Sequence, residues 1–275
     1  MSFTTADVVK LRKVTGAGMM DCKGALEDAN GDFERAVEII REKGKLVAAK
    51  RADRDAAEGV VLTKISADQK TGALVVLNCE TDFVAKNENF IAFTNRILDA
   101  ALENNAADLD ALKALSFDGR TIEAQVTEQT GVIGEKIDLS YYGKVNAETV
   151  VGYIHPGNKL ATLVGFNKAD VDTQVSKDVA MQVAAMAPVA VDKDSVPTEV
   201  VEKELAIAKE KFRLEGKPEA MLDRIAQGAL QKFFQESTLL NQVYVKDGKI
   251  TIKEFLSKTD KDLTVTAFER YTLNV

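Results

Sequence analysis

Histidine occurs once in this 275-residue chain, at His155, and tryptophan does not occur at all. A single imidazole argues against a histidine-built metal site and leaves no second histidine for a relay, so the usual hydrolytic and metal chemistries lack their parts. Cysteine is nearly as scarce. Cys22 and Cys79 stand far apart, which argues against a disulfide framework or a zinc site and leaves two small buried thiols in a reducing cytosol as the expectation. No run of about 18 apolar residues is available to span a membrane. The stretch Met1-Ser2-Phe3-Thr4-Thr5-Ala6-Asp7 has neither the basic and apolar segments of a secretory leader nor the arginines of a transit peptide. The expected location is therefore cytoplasmic. No Gly-x-x-x-x-Gly-Lys-Ser/Thr loop is present, nor a Gly-x-Gly-x-x-Gly behind a strand, so no bound nucleotide and no cofactor are expected. A net charge of −7 argues against nucleic acid as a direct partner by bulk electrostatics.

What the chain does have is core: 45% of its residues are hydrophobic, enough for one large or two to three small domains. Its most informative stretch is Asn78-Cys79-Glu80-Thr81-Asp82-Phe83-Val84-Ala85-Lys86. An apolar run, Ala73 to Leu77, precedes it and reads as a buried strand. Asn89 to Leu98 follows and reads as an amphipathic helix. Three readings of that corner are open. Thr81 or Asp82 is a natural helix N-cap, with Phe83 folding back as a hydrophobic staple. Glu80 and Asp82, two apart, would face the same way on a strand and could serve as paired carboxylates or hold a metal. Or the corner pushes a ring and a charge into another protein.

The rest of the chain organises around that joint. Residues 1–43 read as three short helices, the first capped by Thr4 or Thr5 and running to Val14 with Val8 and Leu11 inward and Val9 as a further inward candidate. Met19 to Ala29 makes the second, and Asp32 caps a third from Phe33 to Lys43. The Gly16-Ala17-Gly18-Met19-Met20 corner offers two adaptable methionines, at least one of them expected in the small core. Lys45, Lys50, Arg51 and Arg54 lie in a solvated linker, helical at most, too weakly basic to argue for RNA. From Glu58 an internal repeat begins. Glu58 to Val61, a turn, Ala73 to Asn78 and a helix are echoed by Glu148 to Val151, Pro156-Gly157-Asn158, Lys159 to Asn167 and a helix over 170–187. Both copies place an Asp where a helix cap belongs, but only the first adds an aromatic ring after it, so capping explains Asp82 better than Phe83. Helices near 108–115 and 121–130 and a strand over 136–145 lie between the copies. Pro197 to Glu215 and Glu219 to Phe234 form an antiparallel helical hairpin with the seam Val201, Leu205, Ala208, Phe212 against Leu222, Ile225, Ala229. It is an arm for a partner, or for a homodimer, unless it is merely packed. The chain returns at Gln242 to Val245 and ends in a strand over 263–271.

These residues carry a resemblance. Thr15 to Lys23 with Ala25-Leu26, then Asn30-Gly31-Asp32, Asn78 to Lys86, Ile133-Gly134-Glu135, Tyr153 to Gly157 and Gly216-Lys217-Pro218 resemble the bacterial elongation factor Ts family over nearly the whole chain. The resemblance implies an α+β fold: a ubiquitin-associated-like three-helix unit, two related α+β subdomains with antiparallel strands, and a helical hairpin inserted in the second. The expected division is 1–56 for the docking unit and linker, 57–145 for the first core subdomain, 146–196 for the first part of the second, 197–236 for the hairpin and 237–275 for the return. The implied activity is guanine-nucleotide exchange on elongation factor Tu, without covalent chemistry, with Thr81, Asp82, Phe83 and Val84 reaching the GTPase and displacing its magnesium ion. Met19, Met20 and His155 are the further implied contacts. An interaction adaptor without exchange activity, or an enzyme built on Glu80 and Asp82, are the rival readings.

Overall fold

The paired strands are buried on both faces, which decides how the layers stack. The computed structural model describes residues 3–273; Met1 and Ser2, the start of the stretch read above as lacking a leader, and the last two residues of the 237–275 segment lie outside the described residues. In chain order the elements are α1 (Thr5–Thr15), α2 (Met19–Asp28), α3 (Phe33–Lys50), β1 (Glu58–Ile65), β2 (Thr71–Cys79), α4 (Asp82–Ala85), α5 (Glu88–Glu103), α6 (Leu109–Ala114), β3 (Ser116–Phe117), β4 (Arg120–Thr121), α7 (Ile122–Ile133), β5 (Asp138–Asn146), β6 (Thr149–Ile154), β7 (Leu160–Phe166), α8 (Thr173–Met186), α9 (Thr198–Leu214), α10 (Glu219–Ser237), α11 (Ile252–Thr259) and β8 (Val265–Thr272). No helix among the described residues is long and apolar enough to cross a membrane.

Two antiparallel three-stranded sheets form, ordered β1-β2-β5 and β6-β7-β8. The repeat is therefore longer than its strand–strand–helix signature: each copy recruits a third strand beside its second. Each of those outer pairings carries a register shift, at Val76/Leu77 and at Gly165/Phe166. Alternation sorts the strand residues. Val61, Leu74, Val76 and Val145 meet Val150, Ala161 and Leu163 of the other sheet, while Val60, Leu62, Val75 and Leu77 face α5 and α7. That double burial is why the sequence reads there as an unbroken apolar run. On the far side, Val164 and Phe166 pack with α8 and α11.

The N-terminal unit is a three-helix cluster around Leu11, Cys22, Ala25, Leu26 and Ala36. Thr4 closes a capping box with Asp7, whose carboxylate accepts from the Thr4 amide at 2.8 Å. Two expectations fail here. Val9 faces solvent rather than the core. The core also takes neither methionine: Ala17 and Cys22 fill that corner, leaving Met19 36% and Met20 76% exposed.

The expected end of the third helix at Lys43 is also corrected; the linker, expected to be helical at most, is helical as far as Lys50. Gly44 looks like a helix breaker, but α3 runs on to Lys50 through Leu46, Val47, Ala48 and Ala49, all tolerated or favoured in helices. Gly44 stays because α3 crosses α7 there. A Cβ on Gly131 of α7 would stand far closer to Gly44 Cα than van der Waals contact allows. Arg41 adds an ion pair to Glu128 of α7 at 3.6 Å. Gly131→Ala gives the expected measure of this contact. Alanine favours the helix itself by about 1 kcal/mol, yet overpacking costs about 1–3 kcal/mol. Urea unfolding should show a net loss, with faster proteolysis near residues 51–57; a stabilised variant would refute the tight crossing.

The hairpin forms with its seam shifted. On α10 the buried positions are Leu222, Ala226 and Leu230, one place beyond the expected Ile225 and Ala229. No α9 residue is fully buried, because a two-helix arm has no third layer to cover it. The β3–β4 hairpin and α11 are not among the expected elements, although Asp118-Gly119 is a turn signal and Thr251 with Glu254 is a capping box.

Candidate functional site

The corner after β2 does not do what a helix cap does. Past Cys79 the chain makes α4, a single turn, and the long helix α5 begins only at Glu88. Its cap is Asn87, whose side chain accepts from the Asn89 amide at 2.9 Å. In the second copy the cap is Asp172, bonded to the Gln174 and Val175 amides. The counterpart of Asp172 is thus Asn87, and the capping reading of Thr81 and Asp82 is corrected: α4 has no side-chain cap. Asp82 instead accepts from Lys86 Nζ at 2.6 Å. That bond, helped by the Lys86 and Lys159 charges, holds its carboxyl below the usual aspartate range.

Phe83 is not a staple. Its side chain points outward and the residue is 84% exposed, whereas Phe90, Phe93 and Phe166 are buried and the other described phenylalanines are half-buried. Val84 turns the other way, against the first sheet's helical core. The paired-carboxylate geometry fails as well. Glu80 lies beyond the end of β2, with Arg51 Nη1 at 2.7 Å and the Lys136 amide at 2.6 Å, while Asp82 belongs to α4. Those two donors, the amide first, keep Glu80 below the ordinary glutamate range. Its contribution to stability is therefore complete above about pH 4.3 and is lost as pH falls through the lowered value. Among the described residues no cluster of His, Cys, Asp or Glu is arranged to hold a metal ion.

Glu135 lies in a block that carries the resemblance, Ile133-Gly134-Glu135, but the sequence assigns it no role. It accepts from the amides of Glu80 at 3.1 Å and Thr81 at 3.0 Å, and from Thr81 Oγ1 at 2.7 Å. Gly134 makes this reach possible. It ends α7 at φ 80°, a left-handed conformation that glycine adopts without penalty, and so swings Glu135 and Lys136 past the corner. Lys136 Nζ donates onward to the carbonyls of Ala52 and Arg54. Beneath the corner, Cys79 is fully buried, and burial first, then the Glu135 charge, pushes its thiol up to about 12. It is inert at neutral pH. A glycine before a glutamate at a helix end is the local signal for Glu135, beside the resemblance of Ile133-Gly134-Glu135.

The other expected contacts connect to this corner only through their neighbours in the chain. His155 sits exposed on the β6–β7 turn, its Nδ1 2.9 Å from Tyr153 Oη. That turn is tied to β1: the Val61 amide donates to the Asn158 carbonyl at 2.7 Å, and Lys159 pairs with Glu58 at 3.0 Å. On the other side, a groove of about 430 Å³ is lined by both Gly16 of the α1–α2 turn and Val84 of the corner. The Met19–Met20 corner begins just beyond Gly18. Thr81 is turned inward to Glu135, so of the Thr81–Val84 segment only Phe83 presents a large apolar surface to solvent.

Comparison with known proteins gives one answer. A family model described as elongation factor TS matches residues 80–275. The chain is 54% identical to elongation factor Ts of Porphyromonas gingivalis over 276 aligned residues, covering 100% of this chain and 99% of that protein. It is 51% identical to elongation factor Ts of Azobacteroides pseudotrichonymphae, with full coverage of both, and 49% identical to that of Christiangramia forsetii, with 98% of each covered.

Proposed function

The chain belongs to the elongation factor Ts family of translation elongation factors, and from that premise we propose that it is a guanine-nucleotide exchange factor for elongation factor Tu, with Phe83 as the element that opens the nucleotide site. One observation carries this reading: a phenylalanine ring 84% exposed on a corner whose backbone is clamped from outside. An exposed ring on a loose loop would collapse onto the protein. This one is held out.

The chemistry of the corner sets how it acts. A phenyl ring offers no ligand to a magnesium ion, so Phe83 works by displacement, wedging apart the elements of the GTPase that fix the ion's ligands. Asp82 is engaged with Lys86 and orients the corner rather than capturing the cation. The N-terminal unit, residues 1–56, docks through Met19 and Met20, and His155 adds a contact from the second half. Thr81 and Val84 hold the wedge from behind. Because coupling between ligands is reciprocal, nucleotide must weaken the grip of this chain on its partner by the same factor; that is how the factor leaves.

The scale of the task follows from affinity. A GTPase holding GDP at ~nM affinity, with association at ~10⁶–10⁷ M⁻¹s⁻¹, releases it at only ~10⁻³–10⁻² s⁻¹. Acceleration by about a thousandfold requires about 4 kcal/mol off the barrier. Stopped-flow release of fluorescent GDP from elongation factor Tu, chased with excess GTP, tests the reading. Release should rise by about that factor at saturating chain. Tight binding with no acceleration would instead favour an adaptor.

A further inference from the structure

Two carboxylates cross beneath the corner. Glu135 accepts from the Glu80 and Thr81 amides and the Thr81 hydroxyl, at 3.1, 3.0 and 2.7 Å. Glu80 accepts in return from the Lys136 amide at 2.6 Å, and from Arg51 at 2.7 Å. Each segment thus holds the other's backbone across more than fifty residues of sequence. Between them stands α4, four residues long and without a cap of its own. One isolated turn has no stability in water. The direction in which α4 points Phe83 is therefore imposed by its surroundings. Thr81, the residue that should cap α4, donates its hydroxyl to Glu135 instead.

We propose that Glu135 is a positioning residue for nucleotide exchange: its carboxylate fixes the angle at which Phe83 enters the GTPase, with Glu80 and Arg51 completing the latch. The inference rests on the exchange reading above. Its physical basis is orientational. A ring free to swing is correctly aimed for only a fraction of the time, and the maximal rate falls by that fraction. Docking through the other surfaces is untouched. Arg51 closes α3, so the latch also ties the end of the N-terminal unit's longest helix to the corner.

The test compares the maximal rate of GDP release with the concentration of chain that gives half of it. Glu135→Ala should lower the maximal rate about tenfold and leave the half-saturating concentration unchanged. Glu135→Gln, whose carbonyl oxygen still accepts from both amides, should recover to within about threefold. Thr81→Val removes only the hydroxyl and should give a smaller loss in the same parameter, which keeps the proposal testable if Glu135→Ala does not fold. Phe83→Ala combined with Glu135→Ala should be no slower than Phe83→Ala alone, since a positioning residue has nothing left to position. Losses that multiply, or an unchanged maximal rate in Glu135→Ala, would overturn the proposal. Amide hydrogen exchange at Glu80 and Thr81, measured without any GTPase, should quicken in Glu135→Ala; unchanged protection would overturn the latch independently. Absence of acceleration by the unsubstituted chain would instead remove the exchange reading itself.

Discussion

Phe83→Ala is expected to slow maximal GDP release by about 10- to 150-fold relative to the unsubstituted chain. Burying one phenylalanine side chain is worth about 1.5–3 kcal/mol, and each 1.36 kcal/mol is about a factor of ten in rate. The full acceleration of about a thousandfold needs about 4 kcal/mol. The ring therefore supplies a large part and the docking surfaces the remainder. A ring that is 84% exposed in the free chain contributes little to its fold, so the melting transition of Phe83→Ala should stay within about 0.5 kcal/mol of the unsubstituted value. Phe83→Leu, still apolar but smaller, should fall between the two. Rate and stability are thus separable at this position, and an unchanged rate at saturating chain would remove Phe83 from the mechanism.

The opposite separation is expected at Asp178, in the second half. The residue is 6% exposed, and its carboxylate accepts from Tyr244 Oη at 2.5 Å, Lys246 Nζ at 2.7 Å and Gln174 Nε2 at 2.6 Å. Asp178→Ala leaves the buried Tyr244 hydroxyl with no acceptor and Lys246 with no counter-charge. Removing one partner of a buried pair costs about 3–5 kcal/mol. Lys246 is half exposed here, which lowers the expectation to about 2–4 kcal/mol by urea unfolding. Burial by itself would raise the Asp178 carboxyl, but the bonds from Lys246, Tyr244 and Gln174 outweigh it and hold it below the ordinary range. The stabilisation is therefore complete above about pH 3.9 and lost as pH falls through the lowered value. Acidification should accordingly destabilise Asp178→Ala less steeply than the unsubstituted chain. Because the corner lies in the other half, GDP release by the folded variant should keep its rate. A stability unchanged by Asp178→Ala would show that the network holding the 242–246 return segment to α8 is redundant.

What the sequence reveals and what it hides divide along physical lines. Strands buried on both faces announce themselves as apolar runs, and Ala73 to Leu77 is one. Amphipathic helices do the same, as α1 and α5 do. The continuation of α3 was hidden because Gly44 is a poor helix residue whose merit appears only where Gly131 crosses it. Capping of α5 was misplaced by five residues, because Asp82 satisfies every local rule for a cap and nothing in the chain nearby shows that Lys86 claims it. Glu135 illustrates the general limit: its partners are over fifty residues away, and no local pattern encodes a contact of that range. Phe83 stands out in the sequence by contrast with the second copy, although that contrast pairs Asp82 with Asp172, whereas the fold pairs Asn87 with it.

The α3–α7 crossing sets how the two ends of the proposed contact surface find their targets. A flexible tether over 44–57 would let the methionine corner wander on the order of 20 Å from its anchor, and every encounter would then need a second diffusional search. Seating a rigid rod on its neighbour abolishes that search. Once either end has landed, the other is already in register, and the entropy of pairing them was lost when the chain folded.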